Sequence, residues 1–201
     1  MSSNSNPGGA VDGERRTMLL TTAVAGGVGT VAAAVPFAAS FAPSEKAKAA
    51  GAPVEVDLSD IAPGDKKIVE WRGKPVWVVR RTPEMIASVK QTSDRVADPN
   101  SDRKEYPTPT YAKNELRSIK PEWFIAVGIC SHLGCSPTGP LAAGSAGPLG
   151  DDMGFLCPCH GSTFDLAGRV FRNKPAPDNL EVPPHKYLSD SVVLIGEDGT
   201  A

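Results

Sequence analysis

The most prominent pattern in the chain is a long apolar stretch near its amino end. No charged side chain occurs from Thr17 to Ser44, and the stretch from Met18 to Phe41 is mostly Ala, Gly, Val, Leu and Thr. A helix that rises 1.5 Å per residue needs about 20 residues to cross a hydrocarbon core of about 30 Å. The pattern therefore predicts a transmembrane anchor over residues 17–41. The polar residues 1–13 are expected to form a disordered tail.

Beyond residue 53 the pattern changes to short segments that are typical of strands. Val54–Leu58 alternates between apolar and polar positions, and two strand-like segments flank Arg72-Gly73-Lys74 as in a hairpin. Glu122–Ile129 is apolar enough to form a buried strand. Strands are predicted at Val54–Leu58, Lys67–Trp71, Pro75–Arg80, Glu122–Ile129, Gly154–Leu156, Arg169–Phe171, Leu180–Val182 and Ser191–Ile195.

The region between the hairpin and the buried strand has a different character. Thr82 is a suitable N-cap and Pro83 suits the first turn of a helix, which predicts a short helix that continues to Lys90. Residues 91–120 are polar and interrupted by prolines, so they are expected to form a long surface excursion.

Between the anchor and the first strand lies a segment rich in Ala, Pro, Ser and Lys, residues 42–53, which is predicted to be a hinge linker. The chain is therefore expected to consist of a cytoplasmic tail (1–16), the anchor, the linker and one β domain (54–201).

Composition and charge exclude some classes of function. Charged residues make up 22% of the chain, the net charge is −2 and the isoelectric point is near 5.9. A nucleic-acid-binding domain would usually be basic, so no nucleic-acid partner is expected. The 20 glycines and 19 prolines favour a structure with many turns over a helical bundle.

The candidate chemistry is concentrated in two short loops. Cys130-Ser-His-Leu-Gly-Cys135 follows the predicted buried strand, and Cys157-Pro-Cys-His-Gly-Ser162 follows Gly154–Leu156. Together the loops contain all four cysteines and two of the three histidines of the chain. Each loop therefore offers one thiolate and one imidazole to a shared metal centre.

The residues themselves leave three interpretations open. A tetrahedral zinc site would use two cysteines and two histidines but would leave Cys135 and Cys159 without a role. A disulfide scaffold would use the cysteines but would not explain the paired histidines. A two-iron cluster with mixed cysteine and histidine ligands uses all of these residues, if the remaining two cysteines form a bridge.

The two loops resemble those of the Rieske iron–sulfur proteins, because C-x-H-L-G-C paired with C-P-C-H-G-S is nearly diagnostic of that family. The anchor, the linker and Lys174-Pro-Ala-Pro-Asp-Asn-Leu-Glu-Val-Pro183 extend the resemblance to the bacterial Rieske subunits of ubiquinol–cytochrome c reductase. The resemblance implies a mainly β fold, namely a Rieske-type antiparallel β-sandwich with a small cluster-binding subdomain at about residues 126–183, after a single N-terminal transmembrane helix.

The resemblance also implies roles for the residues of the loops. One [2Fe–2S] cluster would be bound by Cys130 and Cys157 on one iron and by His132 and His160 on the other, and a disulfide would join Cys135 to Cys159. Ser162 would donate a hydrogen bond to the cluster, and Lys174–Pro177 would cover it. Leu133 would be an exposed apolar contact for a partner. Lys174 stands where the family commonly has glycine, so the backbone of this cover segment is expected to differ.

By the same resemblance, the chain would be the electron-transfer subunit of a quinol–cytochrome c oxidoreductase in a dimeric complex. His160, with His132 beside it, would accept the hydrogen bond of a quinol hydroxyl at the outer quinol site of cytochrome b. The subunit would take one electron, coupled to a proton, and pass it to a membrane-bound c-type cytochrome. The main alternative is the Rieske subunit of another exported oxidoreductase, such as arsenite oxidase.

The amino end also indicates location. Arg15 and Arg16 should stay in the cytoplasm, which would place the β domain on the periplasmic side of a bacterial inner membrane. Arg15-Arg16 before an apolar run also resembles a twin-arginine (Tat) export signal. A cleaved signal peptide is the alternative, since Ala38, Ser40 and Ala42 provide small residues at a possible cleavage site.

Overall fold

The computed structural model describes residues 8–199, and the chain divides into two compact units, with the boundary between Lys48 and Ala49. In the first unit, helix α1 spans Gly8–Ala39. Residues 1–7 lie outside the described part of the chain. The prediction of a disordered tail is therefore wrong for residues 8–13, which form the beginning of helix α1. Small and charged residues there are compatible with helix once a long apolar helix follows.

Helix α1 contains the predicted membrane span. Its segment Gly13–Ala39 is 27 residues long and is apolar enough to cross a membrane. Its threonine hydroxyls donate to carbonyls one turn earlier, as Thr21 Oγ1 does to the Thr17 carbonyl at 2.8 Å. A polar group bonded within its own helix needs no partner in lipid, so these threonines are compatible with a transmembrane position.

The predicted linker contains a short helix, α2, at Glu45–Ala50. The backbone N–H of Ala47 donates to Ser44 Oγ at 3.2 Å, and Lys48 Nζ lies 2.7 Å from a Glu45 carboxylate oxygen. A serine cap and an alanine-rich turn are sufficient for one and a half turns of helix within this segment, and its role as a hinge stays a prediction.

The second unit is built from short antiparallel strands and one further helix, α3 (Pro83–Thr92). Within the described residues the strands are β1 (Val54–Asp57), β2 (Lys66–Trp71), β3 (Lys74–Arg80), β4 (Trp123–Val127), β5 (Thr138–Leu141), β6 (Gly154–Leu156), β7 (Thr163–Phe164), β8 (His185–Tyr187) and β9 (Val192–Ile195). They form three three-stranded sheets in the orders β1-β9-β8, β2-β3-β4 and β5-β6-β7.

The central sheet β2-β3-β4 contributes to two hydrophobic cores. Val76 and Val78 of β3 pack with β1 and β9, whereas Trp77 and Val79 pack towards β6 and β7. All of β4 is buried, because alternate residues contribute to each core. This arrangement confirms the mainly β, sandwich-like prediction and places the residues after β4 and β6 next to one core.

Two predicted strands are absent from the described structure. Arg169–Phe171 makes only isolated antiparallel bridges, of Val170 with Phe164 and of Phe171 with Val96, and forms no continuous ladder. In Leu180–Val182 the Leu180 N–H donates to the Gly168 carbonyl, and no strand forms. These segments are apolar because they are buried in the core as loops. Conversely, β5, β7 and β8 were not predicted, since strands of two to four mixed residues carry too little periodicity.

The excursion (residues 91–120) is only partly on the surface. Its first two residues complete helix α3, Val96 makes an isolated bridge with Phe171, and a single turn of 3₁₀ helix lies at Thr110–Ala112. Val96, Ala112 and Arg117 are buried. Arg117 donates to the carbonyls of Ala167 and Leu180 at 3.1 and 2.8 Å, which attaches the excursion to the region after β7. The excursion is therefore an integral part of the β domain.

Candidate metal centre

The two cysteine- and histidine-containing loops close in the same way. In the first loop, Cys130 N–H donates to the Cys135 carbonyl at 2.8 Å, and the N–H of Gly134 donates to the Cys130 carbonyl at 3.1 Å. In the second loop, Cys157 N–H donates to the Ser162 carbonyl and Gly161 N–H returns to Cys157, at 2.8 and 3.0 Å. The glycines have φ values of 82° and 72°, a conformation that residues with side chains rarely adopt.

The thiols and the imidazoles of the two closed loops differ in burial. The thiols of Cys130 and Cys157 are free and buried. The rings of His132 and His160 face each other, with centroids 4.7 Å apart and an interplanar angle of 86°. His160 is exposed and His132 is half-buried. The structure thus brings the two imidazoles close to each other and the two thiols into contact. The thiols are buried, and the imidazoles are more exposed.

A disulfide joins the loops between Cys135 and Cys159, which is the pairing that the resemblance implied. The sulfurs of Cys135, Cys157 and Cys159 lie within 4.8 Å of one another. This sulfur group is not a usable ligand set, because a sulfur in a disulfide is not a thiolate. The donors that remain in the two loops are the two free thiols and the two imidazoles.

These donors fit a metal that prefers sulfur and nitrogen, and they do not fit calcium or magnesium, which prefer oxygen. Burial raises the pKa of the Cys130 thiol, while hydrogen bonding from the His132 backbone N–H and from the Ser162 hydroxyl opposes this effect. A ligand thiol has to lose its proton, so metal binding here would release protons. Donor chemistry alone is compatible with either zinc or a mixed-ligand iron–sulfur cluster.

The cover segment (Lys174–Pro177) is attached to both loops. The N–H of Ala176 donates to Ser162 Oγ at 3.0 Å. Directly after the cover segment, Asp178 N–H donates to Ser131 Oγ at 3.1 Å, and Ser131 Oγ donates to the Asp178 carbonyl at 2.7 Å. The cover segment and the two loops are therefore held together by side-chain hydrogen bonds. Leu133 is 71% exposed, in agreement with the predicted role as a surface contact.

Sequence reasoning assigned no site to the arginines of the β domain, yet Arg81, Arg117 and Arg169 are buried there. Arg169 pairs with Asp165 at 2.7 Å, and both side chains are 1% exposed. Burial lowers the pKa of Arg81 and of Arg117 to about 10. Buried charges must be paired or hydrogen-bonded, which these are. Arginines are mostly exposed in proteins, so no local pattern could have identified them.

The third histidine, His185, does not belong to the centre. It lies in β8, where its Nδ1 is 2.9 Å from the Pro183 carbonyl and its ring packs edge-on against Tyr111. Burial lowers its pKa. This environment is that of a structural histidine.

Comparison with known proteins identifies the class of the centre. The model of the Rieske [2Fe–2S] domain matches residues 102–184, which include both loops and the cover segment. The β domain is therefore of the Rieske class, and its cofactor is a [2Fe–2S] cluster. The four donors of the loops fit that cluster.

Whole-chain relatives define the family more narrowly. The ubiquinol–cytochrome c reductase iron–sulfur subunit of Allochromatium vinosum is 54% identical over 92% of this chain and 88% of its own length. The subunit of the same name from Rhodospirillum rubrum is 43% identical over 96% of both chains. This chain belongs to the family of ubiquinol–cytochrome c reductase iron–sulfur subunits. A chain of a hyperthermophilic respiratory complex III aligns with 87% of this chain and 97% of its own length, at 25% identity and a TM-score of 0.45.

Proposed function

We propose that this chain is the electron-carrying subunit of a quinol–cytochrome c oxidoreductase, and that Cys130, Cys157, His132 and His160 bind its [2Fe–2S] cluster. The observation that carries the proposal is the pair of imidazoles facing each other at the exposed end of two loops whose free thiols are buried. The family membership supports the reaction, and the alternative of an arsenite oxidase subunit is not favoured by the relatives.

When bound, the cluster accepts and returns a single electron, at a potential of about −150 to +300 mV for mixed ligands against about −400 mV for all-cysteine ferredoxins of plant type. The residues of this chain determine which molecules can approach the cluster. The side chains of Cys130 and Cys157 are buried, so water does not reach their sulfurs. His160 is exposed, so when one of its ring nitrogens holds the metal, the other ring nitrogen would face approaching molecules. In its deprotonated form that nitrogen would accept a hydrogen bond from a quinol hydroxyl and could then take up the proton that the quinol loses.

We infer the partners from this arrangement. The exposed His160 and the neighbouring Leu133 suit docking at the outer quinol site of cytochrome b. From there the subunit would carry one electron to a membrane-bound c-type cytochrome, within a dimeric complex. Residues 42–53 would act as the tether for this movement. Helix α1 would anchor the subunit in the bacterial inner membrane, with the β domain in the periplasm and Arg15 and Arg16, as a Tat signal, in the cytoplasm.

We expect Ser162→Ala to lower the midpoint potential of the cluster. Ser162 is fully buried, and its hydroxyl donates a hydrogen bond to the Cys130 sulfur. This hydrogen bond would stabilise the reduced state of the cluster, which is the more negative one. A hydrogen bond to a charged group contributes about 1.5–3 kcal/mol, which for one electron corresponds to roughly 60–130 mV. Redox titration measures the shift. Ser145→Ala, at an exposed serine bonded to the Ala142 carbonyl, is the control. An unchanged potential in Ser162→Ala would contradict the assignment.

The decisive experiment is purification of the full-length, tagged chain from its own membranes in mild detergent. We expect haem b and haem c in the same fraction, together with two iron and two acid-labile sulfide per chain. The reduced-state EPR spectrum should carry the signature of nitrogen ligation. Zinc in place of iron would contradict the cluster, and a fraction without haem b would contradict the proposed complex.

A further inference from the structure

A buried amide follows the cover segment and connects it to the excursion. Asn179 is 5% exposed. Its Oδ1 accepts the N–H of Val170 at 2.9 Å. Its Nδ2 donates to the Asp98 carbonyl at 2.9 Å and lies 3.4 Å from Ser101 Oγ. One side chain thus joins the end of the cover segment to a turn of the excursion that is more than 70 positions earlier in the sequence.

The turn that receives Asn179 has a fixed shape of its own. One carboxylate oxygen of Asp98 accepts the N–H of Asp102 at 3.0 Å, and the other accepts the N–H of Arg103 at 3.2 Å. The Arg103 guanidinium lies 3.5 Å from the Asp178 carboxylate, whose side chain is 14% exposed. The turn (residues 98–103) therefore contacts both residues that follow the cover segment, by a hydrogen bond to Asn179 and by an ion pair to Asp178.

These contacts continue to the loops of the metal centre. The backbone of Asp178 exchanges two hydrogen bonds with Ser131, which lies between two of the proposed ligands. A displacement of Asp178 or Asn179 would therefore move a group bonded to the first loop. In addition, Ala176 is bonded to Ser162 of the second loop, so the cover segment transmits such a displacement to both loops.

We propose that Asn179 is a positioning residue, which holds the cover segment over the ligand loops by anchoring it to the turn at residues 98–103, and that Arg103 assists through Asp178. The excursion thereby gains a role in retaining the cofactor. This inference rests on the proposed ligand assignment, although the contacts of the cover segment do not depend on which metal is bound.

The test compares Asn179→Ala, Arg103→Ala and Arg103→Lys with a matched control, Asn114→Ala. Asn114 lies in the excursion and also accepts a backbone N–H with Oδ1 and donates to a carbonyl with Nδ2, but its partners are Leu116 and Ser118. Hydrogen exchange of peptides covering residues 174–180 is measured by mass spectrometry on the detergent-purified, full-length protein. The rate of cluster loss and the reduced-state EPR spectrum are recorded on the same samples.

We expect exchange in residues 174–180 to be at least about fivefold faster in Asn179→Ala, because this segment loses its two side-chain hydrogen bonds to Val170 and Asp98 and would open more often. In Arg103→Ala it should be about two- to fivefold faster, because a part-exposed ion pair contributes less. Both variants should lose the cluster faster and broaden its EPR lines, Arg103→Lys should restore both properties, and Asn114→Ala should match the wild type.

Unchanged exchange at residues 174–180 in both Asn179→Ala and Arg103→Ala would overturn the proposal. Equal acceleration in all peptides of Asn179→Ala, combined with wild-type EPR lines in Arg103→Ala, would also overturn it, because Asn179 would then serve only general stability. If Asn179→Ala does not fold, the comparison of Arg103→Ala with Arg103→Lys tests the proposal in its place. If exchange is faster in the variants but the wild-type protein contains zinc or no metal, the proposed function is refuted. The conclusion that Asn179 and Arg103 hold the cover segment would still stand.

Discussion

Replacing His160 with alanine is expected to remove the cluster and the quinol-oxidising activity together. The ring centroids of His160 and His132 are 4.7 Å apart. No other histidine of the described structure lies at that site, since His185 is bonded to the Pro183 carbonyl in β8. Loss of groups outside the ligand shell commonly costs 10–100-fold in metal affinity or activity, so loss of a ligand should reduce both by more than about 100-fold. Iron and sulfide content and quinol-dependent cytochrome c reduction in membranes measure the two effects.

The matched control is His185→Asn, in which the side-chain amide can still donate to the Pro183 carbonyl. We expect this variant to keep its cluster and its activity. If His160→Ala retained quinol oxidation at the wild-type rate, both the ligand assignment and the role of His160 towards quinol would be wrong.

Removal of the disulfide by Cys135→Ala together with Cys159→Ala is expected to have the second largest effect. The bridge joins residues 24 positions apart, and closing a loop of this length stabilises a protein by about 3 kcal/mol in the chain-entropy model. For a domain of this size, that loss corresponds to a decrease in Tm of roughly 6–12 °C. Since the bridge joins the two ligand loops directly, the cluster should also be lost at a lower temperature. Thermal scans followed by visible absorbance measure both changes.

Chemical reduction provides the control for this variant. Because a reductant also reduces the cluster, unfolding in this control is followed by far-UV circular dichroism and not by visible absorbance. Reductant should lower the Tm of the wild-type protein towards that of the double variant and should change the Tm of the double variant less. Equal Tm values for the wild type and the double variant, with no response to reductant, would show that the bridge does not stabilise the loops.

The sequence predicted those elements in which a single local signal dominates. Strand β4 was recognisable because every residue is apolar, and the β2–β3 hairpin because a turn at Arg72-Gly73 separates two strand-like segments. The pairing of the ligand loops was predictable because cysteine and histidine recur at short spacing. In each case the signal itself is a short local pattern: an apolar run, a turn, or a loop of six residues.

Features that depend on distant partners were not predictable. Nothing near Asn179 indicates that its amide bonds to Asp98, and nothing near Arg117 indicates that it is buried against Ala167 and Leu180. The apolar segments Arg169–Phe171 and Leu180–Val182 were mistaken for strands, because burial as a loop and burial in a sheet leave the same composition. Here tertiary contacts decide the structure, and a single sequence does not display them.

The pairing of β1 with β9 has a mechanical consequence. The linker leads into β1, whose residues pair in register from Val54–Ile195 to Asp57–Val192. A pulling force transmitted from the membrane through the linker would therefore act first on the β1–β9 strand pair, as a shear force along the strands. Strand β9 lies near the carboxyl end of the chain. The second ligand loop belongs to a different sheet, β5-β6-β7, and receives no direct pull from the linker. The first ligand loop lies between β4 and β5, so both ligand loops lie outside the sheet on which a force from the linker would act first.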